Sequence, residues 1–93
     1  MDALIHEFTM RVRDQDGHVY RPRAFGTRRR DDTWIGWIEF TPHGGGLVRR
    51  STRETTQPSR AALLYWALGL DEVYLEGALD RAIRSSTVPT PSS

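Results

Sequence analysis

The stretch Thr33-Trp34-Ile35-Gly36-Trp37-Ile38-Glu39-Phe40-Thr41 decides the fold. Its aromatic and β-branched residues favour a pleated strand over a helix. Trp34, Ile38 and Phe40 share one parity, and Ile35 and Trp37 the other. Successive strand side chains point to opposite faces, so this strand is apolar on both. A strand of that kind is expected at the centre of a sheet with something covering each side.

Working towards the N-terminus, Arg28 to Asp32 form a charged turn, and His18 to about Thr27 read as a second strand. Pro22 within it has no N–H for a ladder, which suggests an edge position or a bulge. A bulge also accounts for Tyr20 and Phe25 falling on opposite parities. Asp14-Gln15-Asp16-Gly17 supplies a hairpin turn, with a glycine for positive φ. Residues 4–13 alternate as one half-buried strand, with Phe8, Met10 and Val12 on one face and Thr9, Arg11 and Arg13 on the other.

Working towards the C-terminus, Pro42 to Gly46 form a glycine-rich loop, and Leu47 to about Thr52 a shorter fourth strand. Residues 51–57 are a polar connection in which Thr55 or Thr56 is the expected cap of a first helix, with Pro58 in its first turn and Gly69 at its end. Asp71 caps a second helix running to about Arg84, with Leu75, Ala78, Leu79 and Ala82 as its apolar stripe. Gly77 lies mid-helix, where close approach of another backbone or of Trp66 is expected to require it. Residues 85–93 hold nothing to bury and are expected to be disordered.

Strands followed by helices predict a two-layer α+β domain over residues 1–84: a roughly four-stranded antiparallel sheet with two C-terminal helices packed on one face. Ninety-three residues make one domain with a modest core. There is no cysteine to staple that core. The opening residues lack a basic n-region and a long apolar h-region, and Ala61 to Leu68 is too short an apolar run to cross a bilayer. A cytoplasmic protein with no membrane partner is therefore expected.

All thirteen basic residues are arginine. GC-rich coding is the simplest cause, and selection for planar, stacking cations is the functional one. Residues 1–60 carry eleven arginines against eight carboxylates, and residues 61–93 two against four, so the sheet half is basic and the helical half acidic.

If Phe8, Met10, Val12, Ile38 and Phe40 face the helices, the opposite face gathers Arg11, Arg13, Ile35 and Trp37, with Arg21 and Arg23 joining them and Arg49 or Arg50 adding one more. Arginine beside an aromatic on an open sheet suits a protein contact, where both types concentrate. It also suits single-stranded nucleic acid, where rings stack on bases and guanidinium groups hold phosphates. The net charge of +1 supplies little of the electrostatic drive on which nucleic-acid affinity depends, which puts the protein contact first. The first helix is apolar all round, so either the second helix and the tail complete its burial or Leu63, Leu64 and Trp66 meet a partner protein or a second copy of the chain.

Catalytic and metal constellations are thin. Asp14-Gln15-Asp16-Gly17-His18 resembles the start of a calcium loop but lacks its later ligands, and a hairpin turn is the expected role. His6, His18 and His43 are scattered singly. The Gly44-Gly45-Gly46 loop lacks the lysine and spacing of a phosphate-binding loop. His43 is the one candidate general base. The chain is thus expected to be a non-enzymatic binding protein without metal or cofactor. A protein partner or a second copy stands first, and nucleic acid is the alternative.

Overall fold

In the computed structural model, which describes residues 1–87, an antiparallel sheet is followed by two helices that pack on one of its faces. The strands are β1 (Ala3–Glu7), β2 (Val12–Arg13), β3 (Val19–Arg28), β4 (Trp34–Pro42), β5 (Arg49–Arg50) and β6 (Thr55–Gln57). They occupy four lanes. β1 and β2 lie end to end beside β3, β3 pairs with β4, and β5 and β6 share the far side of β4. The helices are α1 (Arg60–Leu68) and α2 (Glu72–Thr87). No helix among the described residues is long and apolar enough to cross a membrane.

The β3–β4 ladder runs without a break from Tyr20 opposite Pro42 to Arg28 opposite Trp34. Opposed residues share a face, so Tyr20, Pro22, Ala24 and Gly26 lie inward with Phe40, Ile38 and Gly36. Phe25 is therefore an outward residue, and no bulge in β3 separates it from Tyr20. The bulge lies in β1 instead. The pairing slips between Leu4 and His6, and Ile5, the extra residue, is buried while Leu4 is exposed.

Pro22 sits in a central strand, neither at an edge nor at a bulge. The irregularity it causes falls on the neighbouring lane. Residues 8–11 leave the ladder opposite Pro22, which splits the single N-terminal strand expected there into β1 and β2. Phe8 N still donates to Pro22 O at 3.3 Å, but Pro22 has no donor to return.

The inner face is closed by the helices through one notch. Gly26 and Gly36 are directly opposed, and the fully buried Leu63 of α1 lies on both. A methyl group on Gly36 would stand 2.6 Å from Leu63 Cδ1, and one on Gly26 would overlap Leu63 Cδ2 and press on Ile35 O at 3.0 Å. Around this point Ile38, Phe40, Ala67, Leu75, Ala78, Leu79 and Ala82 complete a core with no exposed surface.

The connections differ from expectation in three places. The fourth lane is only Arg49–Arg50 plus Thr55–Gln57, because Thr55 and Thr56 pair with Gly36 and Ile35 instead of capping a helix. Ser59 caps α1 in their place, accepting from Ala62 N at 3.1 Å, one residue after Pro58. A methyl group on Gly77 would meet, among the described residues, only Arg81 Nη1 of its own helix at 3.4 Å, so no foreign backbone or indole among them demands a glycine there. Asp71 caps α2 as expected, accepting from Tyr74 N at 2.8 Å. That helix continues past Arg84 to Thr87; residues 88–93 of the expected tail lie outside the described residues.

A polar tie joins the β5–β6 connection to α2. The Glu54 side chain, 5% exposed, accepts from Tyr74 Oη at 2.5 Å and from Arg81 Nη2 at 2.6 Å. Burial, with the hydrogen bond to Glu54 and its negative charge, pushes the Tyr74 hydroxyl up to about 12.

Two predictions follow from these contacts. Gly26→Ala should cost about 1–3 kcal/mol by overpacking, and Leu63→Ala about 2–5 kcal/mol by leaving a cavity. In urea melts the double variant should lose clearly less than the two together, because the new methyl occupies the vacated space. The second concerns pH. Tyr74 is raised in the folded state, so its contribution is complete below pH 10 and lost as the pH climbs towards 12. Melting temperatures should show that alkaline fall in the native chain, and Tyr74→Phe should flatten it.

Candidate functional site: the open face of the sheet

The face of the sheet turned away from the helices is organised by register. Across the lanes, Glu7 opposes Arg23, Arg23 opposes Glu39, and Glu39 opposes Arg50. One step along the strands, Leu4 opposes Phe25 and Phe25 opposes Trp37. Beyond that, Thr27, Ile35 and Thr56 form a third row. A row of alternating charge thus lies beside an apolar row.

The two rows lean on each other. The Arg50 guanidinium lies 4.1 Å from the centroid of the Trp37 ring, and that of Arg23 5.2 Å from Phe25. Phe25 and Trp37 are stacked at 6.5 Å with 15° between their planes. Trp37 Nε1 donates to Glu39 Oε2 at 3.2 Å. The outcome is that Trp37, although it points away from the helices, is only 2% exposed. The Arg50 guanidinium lies over it where, among the described residues, no second layer of chain does.

The arginines expected on this face do not all meet. Arg11, Arg21 and Arg23 line one open hollow of about 270 Å³, together with Glu7 and Pro22, where the N-terminal lane breaks. Arg11 Nη1 donates to Thr9 O at 3.0 Å. Arg13 belongs to a different cleft, which it lines with Asp14, Glu76, Gly77 and Asp80. Ile35 is half-buried on the outer face. Of the α1 residues, Leu63 is consumed by the glycine notch, and Leu64 and Trp66 are half-buried against the core. The residues that α1 and the start of α2 leave bare are Tyr65 (82% exposed), Leu68 (58%) and Val73 (77%). Spacing of Ala61, Tyr65 and Leu68 at i, i+4, i+7 was the signal for that outward stripe. Phe25, Glu39 and Arg50 belong to the face as well, and only the strand register reveals how they pair.

A second region has polar chemistry. The hairpin turn Asp14–His18 and the loop Pro42–Gly46 border an open groove of about 730 Å³ that also takes in Tyr20 and Arg49. Asp14, Asp16 and His18 bring ligand-type atoms within 4.8 Å of one another. The Asp14 carboxylate is occupied by the turn. Its Oδ1 accepts from Asp16 N and His18 N, each at 2.9 Å, and its Oδ2 takes the Tyr20 hydroxyl at 3.3 Å and faces His18 Nδ1 at 3.1 Å. Burial opposes ionisation of Asp14, but the hydrogen bonds from His18 and Asp16 outweigh it and hold the carboxyl below its ordinary value. His43 is exposed on the loop, its backbone N bonded to Val19 O at 2.8 Å. Asp14 and His18 make a carboxylate–histidine pair, but the described lining sets no serine or threonine hydroxyl beside it.

The chain matches no protein-family model, and no curated protein or solved structure matches it.

The covering of Trp37 is open to test. Arg50→Ala should remove the lid and raise acrylamide quenching of Trp37 fluorescence, read in a Trp34→Phe, Trp66→Phe background. Unchanged quenching would mean that Arg50 is not what shields the ring.

Proposed function

We infer that the protein is a non-enzymatic binding module that uses the open sheet face to contact another protein. The observation that carries this reading is the burial of Trp37 beneath Arg50, next to a charge row that alternates in sign. A platform for single-stranded nucleic acid needs bare rings for bases and an unbroken positive track for phosphates. Here the best ring is covered, and every second charge in the central row is a carboxylate. Mixed-charge surfaces with aromatic residues under arginine suit recognition by a protein surface of complementary pattern.

Nucleic acid remains the second reading. It is favoured by the hollow formed by Arg11, Arg21 and Arg23, none of which makes an ion pair among the described residues. A cytoplasmic location goes with either reading.

Two experiments separate them. Fluorescence anisotropy of labelled single-stranded DNA and RNA at low salt should show no binding that depends on Arg11 and Arg21. Affinity capture with the native chain should retain a protein that is lost with the Phe25→Ala, Arg50→Ala variant. Steeply salt-dependent nucleic-acid binding abolished by Arg11→Ala with Arg21→Ala would overturn the protein reading, as would capture indifferent to the face variant.

A further inference from the structure

The charge row has a symmetry that names a partner. Its order across the four lanes is Glu7, Arg23, Glu39, Arg50: negative, positive, negative, positive. Consider a two-fold axis parallel to the strands, running between β3 and β4 in the plane of contact. Rotation about it reverses the order of the lanes and turns one face onto another. Glu7 then opposes Arg50 of a second copy, and Arg23 opposes the second copy's Glu39. All four positions meet the opposite charge, and each of the two distinct pairs occurs twice by symmetry. In the next row the same rotation sets Phe25 against Trp37 with its arginine cover, and in the row on the other side Arg21 against Thr41. A two-fold axis lying along the charge row itself would set Arg23 on Arg23 and Glu39 on Glu39. The register thus favours one of the two perpendicular modes and penalises the other.

The row is also available. None of its four residues forms an ion pair within its own chain among the described residues. Both guanidinium groups lie over rings, which holds them in place without neutralising them. A side chain already ordered in the free protein loses less entropy on binding.

We propose, building on the protein-contact reading above, that the open sheet face pairs with a second copy of this chain in a face-to-face two-fold dimer registered by the Glu7–Arg23–Glu39–Arg50 row. Four lanes about 4.8 Å apart, and the nine residues of β4 at about 3.4 Å each, give a face on the order of 600 Å² per copy. Stable interfaces bury about 800 Å² per partner, so the dimer is reversible. Its ion pairs make it sensitive to salt.

The experiment is sedimentation velocity of the full chain over a concentration series at low and at physiological salt. The native chain should move from 10.6 kDa towards twice that mass as concentration rises, and less so at higher salt. Arg23→Glu alone and Glu39→Arg alone should each remain monomeric, because each sets two like-charge pairs across the axis. An equimolar mixture of these two variants should form a one-to-one dimer, since both contacts are then of opposite charge. One chain carrying both exchanges should dimerise again. Changes in strand stability within one chain do not produce recovery on mixing. Circular dichroism checks that each variant is folded, and Glu7→Arg paired with Arg50→Glu repeats the design on the outer lanes should the central exchange unfold the sheet. A native chain that stays at 10.6 kDa at every concentration in low salt overturns the proposal, as does a dimer that persists in both single variants or fails to return on mixing. A monomer leaves the binding reading standing, since capture with the Phe25→Ala, Arg50→Ala variant judges that reading separately.

Discussion

The seating of Leu63 on the Gly26–Gly36 pair is the contact on which the rest of the structure depends. Two opposed glycines leave a gap in an otherwise continuous inner face, and a single leucine fills it. This fixes where α1 sits along β3 and β4, and therefore which parity of each strand is inward. A slip of one residue would exchange every inward side chain for its outward neighbour. The identity of the open face is thus a consequence of how the covered face is closed. Ile38 and Phe40 go in, and Trp37 and Glu39 come out, because Gly36 is held beneath Leu63.

The open face answers a problem that this arrangement creates. β4 is apolar on both sides, and only one side receives helices. Trp37 faces out, and among the described residues no second layer covers it. Arg50 and Arg23 lie over Trp37 and Phe25, and Glu39 takes the indole N–H, so the ring is removed from water by charged side chains that keep their own polar ends wet. On the proposed reading, shielding of the aromatic pair and contact with a partner draw on the same residues. The alternating row that shields the aromatic pair also presents a pattern that a matching surface can read.

Much of this was legible in the sequence. The 33–41 strand declared its centrality by carrying large apolar residues at both parities, and its parity assignment places Ile38 and Phe40 correctly on the helix side. Strands before helices gave the layer order. Less accessible were features set by pairing between distant residues. Pro22 announced a break, but the break falls in the partner lane at residues 8–11, because a missing donor disrupts whichever strand was to accept it. Thr55 and Thr56 look like helix caps until β4 is seen to recruit them as a strand. The apolar first helix suggested Leu63, Leu64 and Trp66 as outward residues, whereas burial is decided by which stripe meets the glycine notch, and that leaves Tyr65 and Leu68 outside. The charge row is the extreme case. Its four members come from four strands, and no local spacing connects Glu7 to Arg50.

On the proposed reading, the working surface of this protein is the open sheet face and not its helical side. Two-dimensional NMR of the isotope-labelled chain over a dilution series tests it most directly. Concentration-dependent shifts should concentrate on the amides of β3 and β4 and on the Trp37 indole N–H, leaving α1 and α2 unmoved. Shifts confined to the corner formed by Tyr65, Leu68 and Val73, with the sheet resonances fixed, would contradict the account and move the contact surface to the helices.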